Sequence, residues 1–188
     1  MQLLMQNTDS ELINQYLAGE VNALKELVER YRKPLFGFIL NMTRSADEAD
    51  DIFQEVWLRV IRNIDRYKHK KFLSWLFRIA HNYMIDRFRK HKAILSLDAE
   101  NDDGLSLKDR IPAPTTLPST EISNAELMEK VRKNIAALPY EQKAVFLMRV
   151  EADLPFKEIA AIQKVSINTA LARMHYALAR LRNDLKNE

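Results

Sequence analysis

Residues 46–92, ADEADDIFQEVWLRVIRNIDRYKHKKFLSWLFRIAHNYMIDRFRKHK, decide the fold. Ile52, Val56, Val60 and Ile64 recur every four residues, the spacing that places side chains on one face of an α-helix. Phe72, Leu73, Trp75, Leu76, Ile79, Ala80, Tyr83, Met84 and Phe88 give a second helix a wide apolar face. Trp75 reads as core in preference to a base-stacking platform. The charge along the stretch is polarised. Asp47, Glu48, Asp50, Asp51 and Glu55 crowd its start, whereas nine bases (Arg66, Lys68, Lys70, Lys71, Arg78, Arg87, Arg89, Lys90 and Lys92) stand against Asp86 alone from residue 66 onward. One helix is therefore acidic and the next basic and aromatic. The simplest partner for the second is nucleic acid.

The acidic face has two readings. Asp47, Asp51 and Glu55 lie four apart, and each such like-charge pair costs an isolated helix about 0.2–0.5 kcal/mol. The helix dipole relieves Asp47 and Glu48 near the N-terminus. It does less for Glu55, where a basic partner surface is the alternative. Ser45 with Glu48 has the pattern of a capping box. On the basic helix, Ser74, Arg78, Asn82, Asp86 and Arg89 form a polar stripe. Asn82 offers a donor and an acceptor, as base-edge reading requires, or is an ordinary solvated amide.

Outward from this centre, Leu12, Ile13, Tyr16 and Leu17 predict a short helix ended by Gly19. A second helix starts near Glu20, with Pro34 kinking it or marking a new start. After residue 95 the character changes. Asp98, Glu100, Asp102, Asp103 and Gly104 precede Pro112, Pro114 and Pro118, so residues 96–122 read as an acidic, proline-containing linker. Net charge is +4 over residues 1–95, −4 over 96–125 and +3 over 126–188. Ser123 with Glu126 suggests another capping box. Leu127, Val131, Ile135 and Leu138 then predict a helix ending at Pro139, followed by helices over 144–151 and 156–162. A long helix from Ser166 turns Val165, Ala170, Met174, Ala177, Leu178 and Leu181 inward. Short helix, tight turn, longer helix is a helix-turn-helix pattern.

Composition narrows the classes. Among 188 residues there are three glycines and no cysteine, and 47% are hydrophobic. That excludes disulfide and thiolate chemistry and argues against a Gly-rich phosphate loop. The four histidines, at 69, 81, 91 and 175, have no metal-ligand spacing, so neither cofactor nor enzyme activity is expected. The first ten residues, MQLLMQNTDS, suggest no signal peptide, and no apolar run is long enough for membrane insertion.

The blocks at 48–67, 72–92 and 137–182, with Gly19, Glu20, Ala23, Leu27, Tyr31 and Pro34 ahead of them, resemble the extracytoplasmic-function (ECF) subfamily of bacterial RNA polymerase sigma factors. The resemblance runs from about Leu12 to Leu185. It implies an all-α protein of two helical domains, with residues 1–95 binding polymerase and melting the minus-ten element and residues 123–188 reading the minus-thirty-five element as duplex. It implies that Asp47, Asp50, Asp51, Gln54, Glu55 and Trp57 meet core RNA polymerase. Arg66, Lys68, Lys70 and Lys71 would flank a flipped minus-ten base, Asn82 would touch the unpaired strand, and Arg78, Arg87, Arg89 and Lys90 would hold phosphates. Ser166, Asn168, Thr169, Leu171, Ala172, Arg173, His175 and Tyr176 would face minus-thirty-five DNA. It further implies an anti-sigma partner and a cytoplasmic place of action, with attachment to a membrane only through that partner.

The chain departs from the family at Lys164 and Asn168, where glycine is usual. Leu171, Ala172, His175 and Tyr176 stand where bases and hydroxyls are usual, while Arg173 is retained. That suggests weaker polar readout and an unusual minus-thirty-five sequence, or packing of Leu171 against a protein partner. Two alternatives remain at this stage: a sigma mimic that titrates an anti-sigma factor, and a stand-alone helix-turn-helix regulator using residues 126–188.

Overall fold

The computed structural model describes residues 7–43, 45–68, 71–99 and 124–186. Within them the chain forms α1 (Asp9–Leu17), α2 (Val21–Met42), α3 (Ala46–Asn63), a 3-10 turn (Ile64–Arg66), α4 (Phe72–Ala99), α5 (Asn124–Ala136), α6 (Tyr140–Ala152), α7 (Phe156–Gln163) and α8 (Ile167–Lys186). The all-α expectation holds. Most of the expected linker, and with it the Ser123 capping box, lies outside the described residues; α4 itself runs on to Ala99.

The N-terminal half packs α1, α3 and α4 around α2. The four-residue repeat of α3 is buried as its spacing requires, with Ile52, Val56, Val60 and Ile64 each no more than 2% exposed. Leu35, Phe38 and Ile39 of α2 are fully buried beside them. Helix α2 continues through Pro34 as one element, so the new start that proline allowed is not taken; the ring only withdraws the N–H that the Arg30 carbonyl would accept. Asp9 ties α1 down, accepting from Arg30 at 2.8 Å and from the Tyr31 hydroxyl at 2.5 Å. A complete capping box forms at Thr8 and Glu11. At Ser45 only the hydroxyl half forms, accepting from the Glu48 N–H at 3.2 Å, because the Glu48 carboxylate reaches Arg87 of α4 instead.

In the C-terminal half, α5, α6 and α7 pack on α8. Ala170, Ala177 and Leu181 are its buried seam, at 0%, 0% and 8% exposure. Leu178, expected inward, stays 44% exposed; it follows Ala177 by one residue, about 100° around the helix from the seam. Leu17 is likewise 51% exposed, since α1 buries Leu12 and Ile13 alone. The turn before α8 is made by Lys164 at φ 56°, ψ 43°. The Val165 N–H reaches back to the Ala160 carbonyl at 3.0 Å, closing the end of α7.

The two halves share one continuous apolar core. Buried residues of α6 and α7, among them Val145, Leu147, Met148 and Ile159, belong to the same cluster as Leu27, Phe38 and Phe77. Helix α2 meets α6, and α4 meets α7. At the first contact Gly37 faces Glu151, whose carboxylate lies 2.7 Å from where a β-carbon would sit, and Asn41 donates to that carboxylate at 3.3 Å.

A left-handed lysine carries a Cβ penalty of about 1–2 kcal/mol that glycine avoids. Lys164→Gly is therefore expected to stabilise the helix-turn-helix by about 1 kcal/mol, read as a higher urea midpoint; an unchanged or lower midpoint would show that the turn is not strained.

Candidate nucleic-acid interface

Helix α3 turns its buried repeat inward and so leaves Asp47, Asp50, Asp51 and Gln54 exposed on the opposite side. Among the described residues none of the three aspartates is engaged in an ion pair. The same stripe continues into Leu58 and Ile61, 46% and 36% exposed. Sequence reasoning passed over these two, although residues 54, 58 and 61 keep the helical spacing that would have found them. Glu55 is occupied, accepting from Arg59 at 2.7 Å, and the Arg59 guanidinium lies 4.4 Å from the centre of the Tyr83 ring. Trp57, grouped with this face in the sequence, lies beneath it at 6% exposure, in contact with Phe53 and Phe72.

The basic residues divide into two groups. Arg66 and Lys68 are exposed in the loop before α4, whereas Lys70 lies outside the described residues. Lys71 forms an ion pair with Glu158 of α7. Lys71, Ser74, Trp75 and Arg78 line a cavity of about 310 Å³ whose other wall is Glu158, Ala161 and Ile162 of α7. One end of the basic stripe thus borders the C-terminal half, although Lys71 itself stays exposed. Trp75, 9% exposed, is core as read, although one side of it borders this cavity.

Further along α4, Asn82 is exposed. Arg87, Arg89 and Lys90 share a cleft of about 280 Å³ with Arg59, Tyr83 and Asp86. Arg87 donates to Glu48 at 3.3 Å and to the Tyr83 hydroxyl at 3.4 Å. Arg59 and Tyr83 were not anticipated as members of this group. The cleft is open, cationic and aromatic-walled, which suits a phosphate chain with a base laid on a ring.

On α8, Asn168, Thr169, Leu171, Ala172, His175 and Tyr176 are exposed. Ser166 caps the helix, accepting from the Thr169 N–H at 3.0 Å. Arg173 turns inward, donating to Gln163 at 2.7 Å and to Glu141 at 3.2 Å.

His81 is 3% exposed, beneath Tyr140 of α6 with ring centres 6.1 Å apart. Phe88 stacks on the same tyrosine at 5.1 Å. Burial, and then the nearby positive charges of Arg173 and Arg89, push the His81 imidazole down to about 4. Burial raises the Tyr140 phenol. Both rings are therefore neutral at ordinary pH.

The family description Sigma-70 region 2 matches residues 27–94, and Sigma-70 region 4 matches residues 128–181. The ECF RNA polymerase sigma factor SigW of Bacillus subtilis is 32% identical over 178 residues, covering 93% of this chain and 95% of its own. This chain belongs to the ECF sigma factors. It is a transcription-initiation factor with the region 2 and region 4 of that family. The RNA polymerase sigma-H factor of Pseudomonas aeruginosa is similar at 26% identity over 183 residues, covering 93% of this chain and 92% of its own. Among solved structures, the sigma factor RpoE of Bartonella quintana in complex with the anti-sigma factor NepR has a TM-score of 0.65 at 21% identity. It covers 86% of this chain and 96% of that one. CnrH in complex with the cytosolic domain of CnrY has a TM-score of 0.69 at 20% identity, covering 97% and 99%. At such identities these two bear on the fold. Among the described residues of this sigma factor, no helix is long and apolar enough to cross a membrane.

The seam has a pH signature. A histidine depressed from 6.5 to about 4 takes up no proton in the folded state between those values, whereas the unfolded chain does. Stability therefore falls as pH drops from about 6.5 towards 4, by up to roughly 3 kcal/mol. Urea midpoints between pH 7 and 4.5 should fall more steeply for the natural sigma factor than for His81→Leu. Parallel profiles would remove His81 as the cause.

Proposed function

We propose that the exposed stripe of α3, Asp47, Asp50, Asp51 and Gln54 with Leu58 and Ile61, docks on core RNA polymerase. The observation that carries this reading is the row of unpaired aspartates running into two exposed aliphatic side chains. Acids without bases repel one another on a free helix, and a partner that is basic at one end and apolar at the other removes both costs. In this reading residues 1–95 form the polymerase-binding and minus-ten domain, and Trp57 supports the docking helix from below. Arg66, Lys68, Lys70, Lys71 and Arg78 with Asn82 engage the melted minus-ten strand, and Arg87, Arg89 and Lys90 hold its phosphates in the cleft that Tyr83 walls. Residues 123–188 bind the minus-thirty-five duplex through α8, and residues 96–122 connect the two. Strand opening of this kind is a binding equilibrium and needs no nucleophile or metal. The protein works in the cytoplasm.

Two solved relatives are bound by anti-sigma proteins or a cytosolic partner domain, which supports an anti-sigma partner for this chain. The retained basic surface of α4 favours a working sigma factor over a mimic.

The nearness of α7 to Lys71 and Arg78 adds a condition. A single strand that lies along the stripe from Arg66 to Lys90 meets α7 beside Lys71 and Arg78, so promoter engagement competes there with the closed arrangement of the halves.

Run-off transcription with purified core polymerase and host genomic fragments tests the whole reading. Transcripts that depend on the added protein are expected, and core binding without transcripts would favour the mimic. Asp51→Arg should weaken core binding roughly tenfold at low salt, measured by competition; undiminished affinity would detach α3 from the polymerase. Glu158→Gln removes the partner of Lys71. It should raise the affinity of the isolated protein for single-stranded minus-ten DNA severalfold, since an exposed pair of this kind is worth about 0.2–1 kcal/mol. No gain in fluorescence anisotropy titrations would mean that α7 does not limit access.

A further inference from the structure

Helix α8 carries an unusual set of groups for an element that faces DNA. From Ile167 to Ala179 its only lysine or arginine is Arg173, and that side chain is spent elsewhere. It donates to Gln163 Oε1 at 2.7 Å and to Glu141 Oε2 at 3.2 Å, and it is 24% exposed. Gln163 donates in turn to the Glu141 carbonyl at 3.1 Å. Both of its acceptors sit within the C-terminal half, so parting the halves would not release Arg173. Arg180 lies about 20 Å along the axis from Ile167, beyond the first turns through which a recognition helix meets base edges. It faces Asp184 at 4.0 Å.

The outward face that remains from Ile167 to Ala179 carries no lysine or arginine. Asn168, Ala172 and Tyr176 follow one another at four-residue spacing and are all exposed, with Leu171 and His175 on their flank. The Ser166 and Thr169 hydroxyls lie 2.8 Å apart and serve the helix cap. Among the described residues nothing hydrogen-bonds to the Asn168 amide. Guanine shows two acceptors in the major groove and is read by the paired donors of arginine or by lysine. Adenine shows a donor beside an acceptor and is read by a carboxamide. Thymine shows a methyl group and is read by apolar contact.

We propose that α8 is specific for an A·T run, with Asn168 bidentate on an adenine and Ala172 and Leu171 against the thymine methyls of adjoining pairs, and with no guanine read by arginine. The inference rests on the reading of residues 123–188 as the duplex-binding domain. It adds which bases that domain accepts and which residues decide it.

The test uses holoenzyme assembled from core polymerase and the full chain. A promoter mapped by run-off keeps its downstream sequence, and ten base pairs across the upstream element are randomised. Bound templates are selected and sequenced. The expected result is an A·T-only consensus in which G·C at one position lowers occupancy about tenfold or more. Asn168→Arg holoenzyme should then move that position, and that position alone, to G·C. Asn168 is exposed in the first turn of α8, so the change tests recognition without disturbing the core. A consensus holding a fixed G·C pair, unmoved by Asn168→Arg, would overturn the inference and leave the duplex-binding reading intact. Active transcription with a flat upstream selection would overturn both.

Discussion

Phe72 is the point on which the rest of the molecule depends. It is 1% exposed, and four aromatic rings surround it: Tyr31 of α2 at 5.4 Å, Trp57 of α3 at 6.3 Å, Tyr67 at 5.7 Å and Trp75 at 5.6 Å. Each ring contributes large buried area, and tilted pairs add about 0.5–1.5 kcal/mol beyond it. Phe72 is also the first residue of α4. One side chain therefore fixes where the basic loop ends, how α4 starts, and how α3 lies against α2. The acidic stripe, the loop bases and the α4 stripe keep their relative places because they all radiate from this cluster. The acidic stripe of α3 and the basic groups before and along α4 are thus set by one aromatic anchor.

The charges sort by whether they have work inside the fold. Asp9, Glu48, Glu55, Glu141 and Glu158 each hold a base that crosses between helices or along one. Asp47, Asp50 and Asp51 do not. Exposed ion pairs contribute little individually, so the useful distinction is geometric. The occupied acids position arginines and lysines that would otherwise swing freely, as Glu48 does for Arg87 and Glu55 for Arg59 over Tyr83. The unoccupied ones stay exposed along α3.

How much was legible in the sequence follows from how local each feature is. The buried repeat of α3, the helix start at Phe72 and the helix-turn-helix spacing are all encoded within a few turns, and periodicity reveals them. The seam between the halves is not local. Asn41 and Glu151 are 110 residues apart, and Lys71 and Glu158 are 87 apart. Each looks like a solvated surface residue on its own helix. His81 was set aside as scattered because α4 alone gives no reason to bury it; Tyr140 of α6 supplies the reason. Leu58 and Ile61 were missed for the opposite cause, since aliphatic residues at helical spacing usually point inward.

The seam and the recognition helix are linked through Arg173. An arginine at that place on an exposed helix invites a role on DNA, and its retention from the family pattern encourages it. Yet its two acceptors, Gln163 on α7 and Glu141 on α6, lock α6, α7 and α8 together, and its positive field helps keep His81 uncharged across the seam. A charge that holds a domain together cannot also be exchanged for a base contact without loosening that domain. The same residue therefore helps brace the C-terminal half and leaves the exposed face of α8 from Ile167 to Ala179 without a lysine or arginine. In the proposed reading, base recognition on α8 is then left to an amide, methyl groups, an imidazole and a phenol.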